Sequence, residues 1–207
     1  MQNKFKIKYI LLVIITLTAA SSCQHTRYVT DSSYIPQVST YQVSAYQLSS
    51  LLRYPLENYQ IIQTFGNRTS SGRYHAAEDA LGEGGTPVYA IADGVVSYSG
   101  QMAGYGWLII IDHPQLNIYS LYGHLSTRRF KVTGGEVYCG QLIAHLADDD
   151  EDGSGGSYPH WTPHLHFGIR RGIKDDYPGN GDDRWMAGHT WSYPSTLGWI
   201  APSEFIE

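Results

Sequence analysis

The chain has 207 residues, enough for one domain with a core of its own. Its formal net charge is −5; the first 22 residues hold three Lys and no acid, so beyond them 11 basic residues face 19 acidic ones, a balance of −8. No basic cluster offsets this, which excludes nucleic-acid binding and gives no long-range attraction to anionic lipid.

Lys4, Lys6 and Lys8 precede an apolar run at 9–17, and Ala19-Ala20-Ser21-Ser22 leads into Cys23. A basic start, a short apolar stretch and small residues make residues 1–22 a secretory signal peptide. The run is well short of the roughly 20 residues needed to span a bilayer. Small residues immediately before a cysteine resemble a bacterial lipobox, although Ala20 stands where that motif usually has Leu. The resemblance implies a lipid on Cys23, a membrane as partner, and a periplasmic protein anchored to the outer membrane of a diderm bacterium. Residues 24 to about 50 are rich in Ser, Thr, Gln and Tyr, so 23–55 reads as a lipidated Cys and a flexible tether.

From about residue 56 the pattern becomes short apolar runs broken by Gly, Pro and Asp. The predicted strands are 59–64, 88–91, 94–99, 107–112, 118–124, 141–146 and 164–171, with turns at Gly84-Gly85-Thr86-Pro87, Asp93-Gly94, His113-Pro114 and Gly134-Gly135. No long 3.6-residue period appears. The fold class is therefore all-β, a compact antiparallel sheet domain over 56–207. Asp93-Gly94-Val95-Val96 and Gly140-Gln141-Leu142-Ile143 read as two edges of that sheet. They are similar to the hairpin elements of lipoyl and biotinyl carrier modules. Those modules need a Lys on a tight turn, and neither Lys131 nor Lys174 sits in one. Cys139 reads as a small buried packing residue.

The chemistry concentrates in four places. His164 and His166 alternate with Leu165, so both point to one face of a strand, roughly 6.6 Å apart. His75 and Asp79 are four apart; a helix would put them on one face. A regular strand would separate them by about 13 Å, too far to share an ion held at about 2.0–2.2 Å. The segment is therefore either helical or a sharply bent strand. His124 ends an apolar strand, next to Gly123. Two imidazoles on one face with a distant His and Asp supply the three N/O ligands of a catalytic zinc site, which leaves a fourth position for water. This is the pattern of a metal-dependent hydrolase.

Residues 75–79, the run 85–96, Tyr122-Gly123-His124-Leu125-Ser126 and Pro163-His164-Leu165-His166-Phe167 resemble the lysostaphin/LytM-type zinc endopeptidases, in the same order over about residues 56 to 172. The resemblance implies an antiparallel β domain with a groove over one sheet. It implies one Zn2+ per domain, bound by His75, Asp79 and His166, with His124 and His164 as catalytic histidines. It also implies hydrolysis of peptide stems and cross-links of peptidoglycan through a metal-activated water, and a bent strand at Asp79. All five residues are present, which separates the chain from degenerate, non-catalytic relatives that sense the wall or activate an amidase; that is the alternative function. Two departures stand out: Ala77 where the family has Gly, and an acidic insertion at 147–162. Tyr74 and Tyr105 are the candidates for the family's transition-state tyrosine. Asp148, Asp150, Asp152 and Gly153 fit the first half of a calcium loop, but the twelfth position is Pro159, so a solvated acidic lid is the expectation rather than a Ca2+ site. His160 and Trp161 read as exposed loop residues. Trp185, Trp191 and Trp199 are expected to cap the core, and His25, His113, His145 and His189 carry no expected role.

Overall fold

The computed structural model describes residues 52–151 and 162–207. The signal peptide, Cys23, the tether up to residue 51, and Asp152, Gly153, Pro159, His160 and Trp161 of the insertion lie outside the described residues. Twelve strands are described: β1 Ile61–Gln63, β2 Tyr74–His75, β3 Glu78–Leu81, β4 Pro87–Tyr89, β5 Gly94–Met102, β6 Gly106–His113, β7 Ile118–Leu125, β8 Gly135–Val137, β9 Leu142–His145, β10 His164–Arg171, β11 His189–Thr190 and β12 Trp199–Ile200. A five-residue helix, Pro202–Ile206, follows. No helix among the described residues is long and apolar enough to cross a membrane.

The main sheet runs β1-β3-β10-β7-β6-β5-β8, with β12 beside the end of β10, and its pairs are all antiparallel. The all-β expectation holds. The two supposed edges of one sheet do not belong together. β5 lies in the main sheet and β9 pairs with β4 in a separate ribbon. The reason is β8: Gly135, at φ 88°, opens a short strand that takes the edge of β5.

β6 explains its own sequence. Leu108, Ile109, Ile110 and Ile111 are all fully buried, because the strand is covered on both faces and needs no polar alternation. Ile109 and Ile111 join Tyr122, Leu165, Phe167 and Ile169 on one face, beneath Val88, Ile143 and Ala144 of the β4–β9 ribbon. Leu108 and Ile110 join Tyr119, Leu121, Ala187 and Trp199 on the other. Each such side chain contributes about 1.5–3 kcal/mol by leaving water. Cys139 is half-buried rather than buried.

The second face is roofed by the chain after β10, and Arg170 pins that roof. Fully buried, it donates from Nε to Leu197 O (2.9 Å) and from Nη1 to Asp183 O (3.0 Å) and Arg184 O (3.1 Å). Its guanidinium carbon lies 3.4 Å from the Tyr177 ring centre. Of the three tryptophans, Trp199 is buried and Trp185 half-buried in this layer, but Trp191 is 67% exposed and caps nothing.

A second buried polar group ties β6 to β7. His113 Nδ1 donates to Asp93 O (2.8 Å), its Nε2 lies 2.7 Å from Ser120 Oγ, and the Ser120 and Tyr122 hydroxyls are 3.0 Å apart. Burial pushes the His113 imidazole down to about 4.

Candidate metal centre

The roof leaves part of the second face open, and the histidines lie there. One row of the sheet runs Asp79–His166–Gly123 across β3, β10 and β7. Asp79 projects to this face; its neighbour Glu78 projects to the other, where it accepts from Tyr59 Oη (3.0 Å) and Ser203 Oγ (2.6 Å). The helix-forming residues 76–80 therefore do not form a helix. Pairing of β3 with β1 and β10 overrides local propensity. The chain bends at Ala76–Ala77, between β2 and β3, and both alanines are buried. That bend brings His75 Nε2 to 3.3 Å from Asp79 Oδ1, as a bent strand requires and a regular one forbids.

His166 Nδ1 closes the group, 2.9 Å from Asp79 Oδ1 and 3.1 Å from His75 Nε2. All three residues are buried. Tetrahedral ligands about 2.0–2.2 Å from one ion would be about 3.3–3.5 Å apart, so the triangle is a few tenths of an ångström tight. Hydrogen bonding alone does not account for it. His75 Nδ1 faces the Thr64 carbonyl at 3.3 Å, and a carbonyl only accepts, so the proton sits on Nδ1. In a neutral ring Nε2 is then a lone pair pointing at a carboxylate oxygen, a repulsive contact unless a cation lies between them. The donor set, two imidazoles and a carboxylate, suits zinc. Burial would raise the Asp79 carboxyl, but the adjoining His166 and His75 rings win and hold it well below the usual carboxylate range. Burial lowers His166, against the opposing pull of Asp79.

His164 and His166 share a face, as alternation demands. His164 Nδ1 donates to Thr162 O (2.7 Å), which turns Nε2 towards Asp79 Oδ2 at 3.8 Å. Its side chain is 17% exposed, so solvent reaches it. His124 arrives differently. By alternation from Tyr122, which is in the first core, it would point away from the site. It instead adopts φ 61°, in the left-handed region, at a bulge where Gly106 and Trp107 both oppose Leu125. Leu125 keeps its core position and the His124 ring lies 4.6 Å from that of His164. Burial, then His164 and His166, push His124 well below 6.5, so it is neutral at pH 7.

Tyr105 packs over this row, its ring centre 5.4 Å from that of His166 and its hydroxyl donating to Met186 O (2.9 Å). Gly123 and Gly188 permit the approach: a Cβ at either would lie 2.5 and 2.6 Å from Tyr105 atoms. Tyr74 stacks edge-on against Tyr193 instead. His189, given no role from the sequence, lies 5.1 Å ring to ring from His75, because β11 pairs with β2. Arg73, Arg184 and His189 line a cleft of about 310 Å³ beside His124 and His166. No spacing motif marks these residues; the pairing that gathers them is long-range.

The described part of the insertion is tied to the loop after β7, while Asp149 and Asp150 stay exposed. Asp148 pairs with Arg129 (2.8 Å) and Asp150 with Arg128 (2.9 Å). Glu151 is buried, accepting from Ser126 Oγ (2.9 Å), Arg128 N (3.1 Å) and Asp148 N (3.0 Å). Two carboxylates of the would-be calcium loop are thus already engaged by arginines.

Residues 73–179, just over half of the chain, match the family model described as Peptidase family M23. A DD-carboxypeptidase/endopeptidase Mpg of Neisseria meningitidis serogroup B is 35% identical over 120 residues, which are 56% of this chain and 25% of that protein. The murein hydrolase activator NlpD of Escherichia coli K12 is 36% identical over 122 residues, 58% of this chain and 28% of that one. The chain spans about a quarter of the length of these curated relatives. Lysostaphin of Staphylococcus simulans aligns with a TM-score of 0.50 and 23% identity, over 75% of this chain and 54% of that one, a likeness of fold.

Proposed function

The chain belongs to peptidase family M23, and from that premise we propose that it is a zinc-dependent endopeptidase hydrolysing peptide cross-links of bacterial peptidoglycan. The observation that carries the reading is the buried triangle of His75 Nε2, Asp79 Oδ1 and His166 Nδ1, whose lone pairs converge. These three atoms would hold the ion. When bound, zinc supplies Lewis acidity that acidifies a water towards neutral pH and polarises a carbonyl.

The remaining steps belong to the chain. His164 accepts the proton of the attacking water through Nε2; its Nδ1–H stays on the Thr162 carbonyl and fixes the tautomer. His124, neutral and buried, donates a hydrogen bond to the developing oxyanion, and His164 hands the proton it took from the water to the leaving amine. The left-handed backbone of His124 holds its ring in place at a cost of order 1 kcal/mol. The N-terminal signal would place this centre in the periplasm.

Zinc-loaded protein added to purified sacculi should convert cross-linked muropeptide dimers to monomers, identified by mass. His164→Ala should retain zinc and lose about 10²–10⁴ in turnover. The alternative, a non-catalytic module that activates an amidase, is favoured by the likeness to NlpD. Intact dimers after digestion with fully zinc-loaded wild type would decide for it.

A further inference from the structure

We infer that Arg73 and Arg184 form a carboxylate-binding subsite beside the metal centre, which selects peptides with a free carboxylate on the residue that contributes the leaving amine. This rests on the peptidase reading. The cleft that the two arginines line also holds His124 and His166, so its occupant lies next to the reacting bond. The acyl residue spends its own carboxyl group in the scissile bond, so the nearest free carboxylate belongs to the residue that contributes the leaving amine, which assigns the cleft to the leaving-group side. At about 310 Å³ it sits at the lower edge of small-ligand sites, about 300–1,000 Å³.

The charge in the cleft is of one sign. No Asp or Glu lines it, and among the described residues neither Arg73 nor Arg184 makes an ion pair within 4.0 Å. Their recorded hydrogen bonds are to neutral oxygens. Arg184 donates from Nη1 to Gly181 O (2.9 Å) and from Nη2 to His189 O (3.5 Å), which orients its guanidinium. Arg73 donates from Nε to Ser71 Oγ (3.4 Å). A guanidinium has five N–H donors in a planar fork that matches a carboxylate, and these bonds leave donors on both. The backbone supports the placement: β2 carries Tyr74 and His75 just after Arg73, and β11 pairs with it through His189↔His75. Arg170, donating to the Arg184 carbonyl, anchors the other arginine to the sheet.

The test uses two synthetic cross-link peptides that differ only in a carboxylate or carboxamide on the leaving-amine residue. With zinc-loaded full-length protein, kcat/KM should favour the carboxylate by about tenfold or more. Arg73→Gln and Arg184→Gln should each pull that ratio towards one, Arg184→Lys should restore part of it, and added salt should shrink it. Calorimetry with the zinc-loaded His164→Ala protein should show the same preference in Kd. A wild-type ratio near one, or a ratio that both Gln variants leave intact, overturns the subsite while the peptidase reading stands. If neither peptide is cleaved but calorimetry shows a preference lost in the Gln variants, the subsite stands and the peptidase reading falls.

Discussion

Gly123→Ala puts the packing over the metal row to a direct test. The new Cβ would lie 2.5 Å from Tyr105 Cδ1, 3.0 Å from Cε1 and 3.4 Å from the His166 Cβ. Carbon pairs settle at about 3.5–4.0 Å, so the ring must retreat by about 1 Å. It has little room to do so: Tyr105 is 8% exposed, its hydroxyl is held on Met186 O, and Gly188 closes the far end. Overpacking of this kind costs about 1–3 kcal/mol. For a chain of this size that lowers Tm by about 2–12 °C. Gly134→Ala is the control, since its Cβ would meet nothing within 4 Å. Thermal melts of both variants, alone and in a Tyr105→Ala background, read the outcome. The cost of Gly123→Ala should fall below about 0.5 kcal/mol once Tyr105 is truncated. An undiminished cost in that background would refute the assigned clash.

Other expectations follow from the same geometry. His113 has a folded pKa of about 4 against 6.5 unfolded. Above pH 6.5 both states are neutral; as pH falls from 6.5 to 4 the unfolded chain takes up a proton that the folded chain refuses. Stability should therefore fall by about 3 kcal/mol across that window. Urea midpoints from pH 7 to 4 should show this loss in wild type, and a shallower slope in His113→Asn. Glu151→Ala should cost about 2–4 kcal/mol in denaturant titration, because it strands the Ser126 hydroxyl, two backbone N–H groups and the nearby Arg129 guanidinium; stability equal to wild type would show that the insertion is not pinned there. Zinc at about a hundredfold its Kd should stabilise wild type by about 2.7 kcal/mol, read as a rise in Tm over chelator-treated protein. His166→Ala should show no such rise.

The parts of the fold and site legible in the sequence were those set by local chemistry. Strand β10 follows from its alternation, and the shared face of His164 and His166 comes with it. The continuous apolar run of β6 marks a strand covered twice. What was not legible depends on pairings far apart in the chain. The residues 75–79 alone allow a helix or a bent strand, and the ladders to β1 and β10 decide between them. His124 reaches the site through a left-handed residue at a bulge, which no alternation rule anticipates in a non-glycine residue. Arg73, Arg184 and His189 meet only because β11 returns to β2. The arginine partners of the acidic run, Arg128 and Arg129, lie some twenty residues earlier, and no local pattern announces them.

Three side chains brought together by a bent strand and its neighbour would hold one metal ion. Zinc per chain, measured by atomic spectrometry after exhaustive dialysis, tests it most directly. Wild type and His164→Ala should carry one zinc each, and His166→Ala essentially none. A His166→Ala protein that keeps a full equivalent of zinc would contradict the account.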